Sequence, residues 1–254
     1  MADEVLVEIS GRVAIITINR PQARNAVNHA VSAAVAQALD DLDERDDLTV
    51  GIITGAGGTF SSGMDLKAFL AGENVAIPGR GLAGLTQLPP AKPLIAAVEG
   101  WALAGGCEMA LACDLIVAAD DAKFGIPEVK RGLVAGAGGL VRLPRRIPAG
   151  IAMELALTGD PLPAADAYRL GLVNKLMPAG EALAGALALA ERIAANGPLA
   201  VAATKQIVGQ QFDWQLAEVW EKQEPIMRPA FQSQDAREGA LAFAEKRAPV
   251  WQGR

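Results

Sequence analysis

The stretch AVEGWALAGGCEMALACDLIVAADDAKFGIPE, residues 97–128, carries a carboxylate inside an apolar run: Glu108 stands just behind the pair Gly105-Gly106. Burying a carboxylate is costly unless something satisfies it or uses it. The glycine pair reads as the start of a helix, whose unpaired first-turn N–H groups carry about half a positive charge. Beyond it, DLIVAAD (114–120) is a short apolar run of the kind that forms a buried strand. A helix running away from a site and a strand returning to it would bring Glu128 back near Glu108, twenty residues earlier. Two glutamates at one end of a sheet, with a helix N-terminus between them, would make an acid/base pair beside an anion hole. The plainer reading is that Glu108 complements its own helix dipole and that Glu128, after Pro127 at a first helical position, does the same. The residues alone leave both open.

The neighbouring segments repeat the pattern. TVGIIT (49–54) and LIAAVEG (94–100) are again short, nearly continuous apolar runs separated by loop and helix signals, as in parallel strands buried on both faces. Such β-then-α units imply right-handed crossovers. Val5–Ser10 and Val13–Ile18 read as a hairpin closed by Gly11-Arg12. In NHAVSAAVAQALDDLDER, Val31, Val35, Leu39 and Leu42 recur at helical spacing behind Asn28, a plausible N-cap. From about Pro148 the texture becomes helical, punctuated by Pro and Gly, with GLVNKLM (171–177) as a possible strand.

Two tempting motifs fail. GIITGAGGTF lacks the third glycine of a dinucleotide fingerprint, where Phe60 stands, and Val75 stands where an acidic residue would be needed. TFSSGM lacks the glycine two residues before the serine that a nucleophile elbow requires.

Composition narrows the class. The chain has 254 residues, 51% hydrophobic, and a formal net charge of -6, which argues against a nucleic-acid binder. No window offers the roughly 18 uninterrupted apolar residues of a membrane span. The N-terminus MADEVLVEIS has no basic-then-apolar segment, so a cytoplasmic address is the default expectation. Cys107 and Cys113 read as reduced thiols and His29 as a solvated imidazole opening a helix, so no metal site is expected.

Taken together and in order, INRPQARNAVN, FSSGMDL, the quoted stretch, GAGGLVRLPR, ALTGDPLPAADAYRLGLVNKL and EGALAFAEKRAPVW resemble the crotonase superfamily, also called the enoyl-CoA hydratase/isomerase family, over nearly the whole chain. EVKRGLVAGAGGLVRLPRRIP looks closer to the branch containing carnitinyl-CoA dehydratases. The resemblance implies an α/β fold in which a spiral of ββα units forms two roughly perpendicular sheets. It divides the chain into a core, 1–195, with the CoA and active site, and a helical trimerisation region, 196–254. It implies a trimer or a dimer of trimers.

The resemblance also implies an acyl-CoA thioester substrate, with coenzyme A as part of the substrate and no separate cofactor. By motif position the backbone N–H groups of Met64 and Gly105 would form the oxyanion hole. Glu108 and Glu128 would hold the attacking water, with Glu128 delivering a proton to the α-carbon and Glu108 acting as partner base. CoA would run near Arg24 and along Ser62, Asp65, Leu66 and Lys67, while Phe243 and Lys246 match positions that reach a neighbouring subunit's CoA in some members. Lys246 reads equally as surface charge. The acyl pocket is expected around residues 69–85. Ala135 stands where many hydratases carry proline, next to the Glu128 site. Three readings stay open: a hydratase or dehydratase of 2-enoyl-CoA, a Δ3,Δ2-enoyl-CoA isomerase, and a noncatalytic CoA-binding or RNA-binding relative.

Overall fold

In the computed structural model, which describes residues 3–254, the chain alternates strands and helices before ending in helices alone. Strands β1 (Val5–Ser10) and β2 (Val13–Ile18) form the expected antiparallel hairpin, Ser10 facing Val13 and Gly11 taking φ +57° in the two-residue turn. They are followed by α1 (His29–Glu44), β3 (Val50–Gly55), the short α2 (Leu66–Leu70), the two-residue strands β4 (Ala76–Ile77) and β5 (Gly81–Leu82), β6 (Leu94–Val98), β7 (Trp101–Leu103), α3 (Gly105–Ala112), β8 (Leu115–Ala119) and β9 (Lys123–Gly125). The second half contains α4 (Gly139–Arg146), α5 (Ala149–Thr158), β10 (Leu162–Pro163), α6 (Ala164–Arg169), β11 (Lys175–Met177), α7 (Ala182–Ala194), α8 (Pro198–Gln210), α9 (Val219–Gln232) and α10 (Gln234–Glu245).

The main sheet has the order β1-β2-β3-β6-β8-β11 and is parallel from β2 onward; β10-β9-β7 form a second sheet and β4-β5 a small third. Side chains alternate across a strand, and in β2, β3, β6 and β8 both faces are dry. Ile16, Ile18, Ile53, Ala96 and Val98 face one core, with α1 and α3; Ile15, Ile52, Ile95 and Ala97 face another, sealed by α7. Val31, Val35, Leu39 and Leu42 of α1 are fully buried in the first core, and the Asn28 side chain caps the helix by accepting from the Val31 N–H. The α7 helix meets the sheet through Gly185, Ala186 and Ala190, small residues that permit close approach; Gly185 lies against Met177.

Helices α8 and α9 bury no residue of their own and leave Phe212, Trp220 and Phe231 exposed nearby. The last residues turn back as a strap. Asp235, buried at the start of α10, accepts from the N–H groups of Gln252 and Gly253, and the Trp251 indole donates to Ala195 O. No described helix is long and apolar enough to cross a membrane. Cys107 and Cys113 are free and buried, each thiol pushed up to about 12 by desolvation, and so are inert. His29 opens α1 as an exposed side chain, its Nδ1 2.9 Å from Asn74 O.

Candidate active site

The site is built where residues 60–64 run beside β7. Ser61 pairs with Ala102, its N–H donating to Trp101 O and its carbonyl accepting from the Leu103 N–H, so both chains arrive together at the start of α3. Gly63 must be glycine there: its φ is +87°, and a Cβ would lie 2.6 Å from Gly105 N. On the other side, a Cβ on Gly105 would stand 3.4 Å from Met64 N. The two amides are thus neighbours, and among the described residues neither donates its N–H to another protein group. Ala104 sets the angle of approach. It adopts φ 51° and ψ −129°, a conformation rarely taken by a residue with a Cβ, and hands the chain from β7 into α3. No sequence signal marks that strain.

Glu108 lies in the first turn of α3 and is only 3% exposed. Its carboxylate does not serve its own helix. Oε1 accepts from the N–H groups of Ala137, 2.7 Å away, and Gly139, 2.9 Å away. Gly139 is the first residue of α4, so Glu108 caps a different helix, one that lacks any side-chain cap of its own. Burial pushes the Glu108 pKa above the ordinary carboxylate value, while the two N–H groups and the Arg142 guanidinium pull against it.

Glu128 sits in the short turn of 3-10 helix Pro127–Arg131, with Pro127 in its first turn. Both structural features of the plainer reading are therefore present. Yet Glu128 Oε2 is buried and has no hydrogen-bond partner. Burial raises its pKa, and the nearby Glu108 charge raises it further. Glu128 opens onto an apolar cavity of about 370 Å³ whose walls include Ile126, Ala135, Leu140, Leu143, Ala152 and Ala156. These come chiefly from the loop before α4, from α4 and from α5. Residues 69–85, expected to shape the acyl pocket, contribute none of that lining. One of them, Leu82, does reach the amide pair, packed against Gly105. Ala135 does reach the Glu128 cavity wall and is buried there.

A model of the enoyl-CoA hydratase/isomerase family matches residues 8–254. The chain belongs to this family. It is 43% identical over 258 residues to an enoyl-CoA hydratase of Mycobacterium tuberculosis, covering 99% of this chain and 97% of that one. It is 40% identical over 266 residues to a carnitinyl-CoA dehydratase of Salmonella typhi, covering all of both. Among solved structures, an enoyl-CoA hydratase from M. tuberculosis H37Rv is 63% identical, with a TM-score of 0.98 over 99% of this chain and all of that one. A carnitinyl-CoA hydratase from M. avium is 48% identical, with a TM-score of 0.81 over both whole chains. The fold is therefore the crotonase fold and the protein a crotonase-family enzyme, with relatives in both the hydratase and the carnitinyl-CoA branches.

The remaining residues expected from the family fall into two groups. Arg24, Ser62, Asp65, Leu66 and Lys67 share one rim: the Ser62 N–H donates to Arg24 O, and Asp65 caps α2 through the N–H groups of Lys67 and Ala68. Asp65 also pairs with Arg20 at 3.1 Å, so its carboxylate is engaged in structure. Arg24, Leu66 and Lys67 are exposed on that rim. Phe243, 88% exposed, and Lys246, at the left-handed C-cap of α10, belong to the tail.

Proposed function

We propose that the protein is an enoyl-CoA hydratase that adds water reversibly to a 2-enoyl-CoA through Glu108 and Glu128. The observation that carries this reading is the contrast between two buried carboxyl groups. Glu108 is held by two backbone N–H groups that favour its charged form; Glu128 has a buried oxygen with no donor, beside that charge. Such a contrast supports Glu108 as the base and Glu128 as the acid.

In the forward direction the thioester carbonyl accepts from the N–H groups of Met64 and Gly105. Glu108 takes a proton from a water as the water oxygen bonds the β-carbon, and the π pair moves toward the carbonyl oxygen as an enolate. Glu128 then gives its proton to the α-carbon. A proton passing from Glu108 to Glu128 resets the pair. Each hole donor is worth about 3 kcal/mol, or roughly a hundredfold in rate.

The cavity favours a hydrocarbon acyl chain over the betaine of the carnitinyl branch. A trimethylammonium group taken out of water needs an anion or an aromatic face. Glu128, the one ionisable side chain in the described lining, must carry its proton to act as the acid and so offers no anion, and no aromatic ring lines the cavity. On this reading CoA lies along the Arg24 to Lys67 rim and no resident cofactor is required. Residues 1–195 form the catalytic core in the cytoplasm. The exposed apolar side chains of 196–254 are covered by other copies in a trimer or hexamer, where Phe243 and Lys246 can meet a neighbour's CoA.

The test is loss of the conjugated enoyl-thioester absorbance with crotonyl-CoA, longer 2-enoyl-CoAs and crotonobetainyl-CoA. Turnover of the hydrocarbon substrates supports the proposal. Turnover of crotonobetainyl-CoA alone moves the protein to the carnitinyl branch, and a flat trace with every substrate refutes hydration and favours the isomerase.

A further inference from the structure

Arg142 is an arginine that the catalytic reading leaves unused. It lies on α4 with its guanidinium partly buried, and no carboxylate pairs with it within salt-bridge distance among the described residues. Its partners are two carbonyls: Nη2 donates to Thr86 O at 2.6 Å and Nη1 to Ala137 O at 3.4 Å. Ala137 is the residue whose N–H donates to Glu108 Oε1. Thr86, at the other end of the fork, accepts through its hydroxyl from the N–H of Leu82, and Leu82 packs against Gly105. One guanidinium thus ties the loop that grips the base to the turn that backs the oxyanion-hole amide.

Gly138 shows how closely this is fitted. It takes φ +102°, and a Cβ there would overlap the guanidinium. A cation without a carboxylate partner is costly to desolvate, and the planar fork of a guanidinium suits two carbonyls held at once.

We infer that Arg142 is a positioning residue for the base, holding the Ala137–Gly139 loop on Glu108 and placing a positive charge behind its carboxylate. This rests on the assignment of Glu108 and Glu128 as the reacting pair. The charged and titratable groups around it are Glu108, Arg145, Arg146 and Cys113; Glu128, Arg131 and the neutral thiol of Cys107 complete the set around the two carboxyls. Cys113 is neutral in the working range and Arg146 is occupied with the carbonyls of Cys113 and Asp114, so Glu108 is the group left to feel a change at 142.

The experiment compares Arg142→Gln and Arg142→Lys with wild type on whichever enoyl-CoA turns over fastest, with full pH profiles and a 13C titration of the Glu108 carboxyl carbon. For Arg142→Gln we expect kcat to fall about 10- to 100-fold, with KM changed less than threefold. The acidic limb of kcat/KM and the Glu108 titration should both move to higher pH. Arg142→Lys keeps the charge but cannot span both carbonyls, so it should lose rate while retaining the wild-type limb. If Arg142→Gln does not fold, Arg142→Lys decides: wild-type kcat there overturns the inference.

A loss of thermal stability with unchanged kcat and limb in either folded variant would also overturn it, leaving Arg142 a structural tie. Glu108→Gln and Glu128→Gln are run alongside. If both retain wild-type turnover, the site assignment itself fails. If both are inactive while Arg142→Gln is silent, only the role of Arg142 fails.

Discussion

Replacing Glu108 by glutamine and by alanine should separate two roles that the same carboxylate performs. The carbonyl oxygen of a glutamine can take the place of Oε1 and accept from both Ala137 and Gly139, so the start of α4 stays capped. What it cannot do is accept a proton from water. Loss of a general base costs about 10²- to 10⁴-fold in rate. Glu108→Gln should therefore fold with nearly wild-type stability and lose hydration by that factor. Alanine removes the acceptor as well, leaving two N–H groups near the protein interior without a partner. At about 1–3 kcal/mol for each orphaned group, Glu108→Ala should be about 2–6 kcal/mol less stable than Glu108→Gln. The comparison needs urea unfolding of both variants and the enoyl-thioester absorbance assay. Equal unfolding midpoints would refute the capping argument, and wild-type turnover in Glu108→Gln would refute the catalytic one.

Three other perturbations address separate features. Because burial raises the Glu128 pKa, the folded protein binds more protons than the unfolded chain just above the ordinary glutamate range. The contribution of this group to stability is therefore fully present at low pH and is lost as pH rises through the raised value. Glu128→Gln should flatten that decline in a series of unfolding curves, and an unchanged slope would contradict it. Filling the cavity with Ala156→Leu should reduce turnover of longer enoyl-CoAs at least tenfold relative to crotonyl-CoA, as measured by kcat/KM; an unchanged ratio would move the acyl chain elsewhere. Asp235→Ala should release the C-terminal strap at a cost of about 1–3 kcal/mol, seen first as faster hydrogen exchange at Gln252 and Gly253. Unchanged exchange at those amides would mean that the strap is held by its other contacts, the Trp251 indole on Ala195 O, the Val250 N–H on Glu238 and the Arg254 carbonyl on the Gln234 and Asp235 N–H groups.

Long elements were legible in the sequence because their period is long enough to register. The face of α1 carrying Val31, Val35, Leu39 and Leu42 and the apolar runs of β3, β6 and β8 are where the spacing predicts them. Strands β7, β9 and β10, at two or three residues, are too short to show alternation, and Pro144 interrupts the pattern of α4. The oddity of a glutamate in an apolar run was visible at Glu108, but its donors were not. They come 29 and 31 residues later, from a GAGG segment that reads locally as a flexible loop. The sequence places the acyl pocket around residues 69–85, a segment too irregular to size from its spacing. The apolar cavity that Glu128 opens onto is walled chiefly by α4 and α5, helices whose apolar residues carry no local mark of a cavity.

Helix α4 couples two properties that are usually tuned apart. Its first N–H donates to Glu108, and Leu140, Leu143 and Pro144 of the same helix line the cavity proposed to take the acyl chain. Reshaping that wall to admit a bulkier chain tilts or shifts the same helix, and so alters the acidity of the base. A laboratory lineage selected only for substrate size should therefore drift in pH optimum as a by-product, and one selected only at a new pH should arrive with an altered chain-length preference.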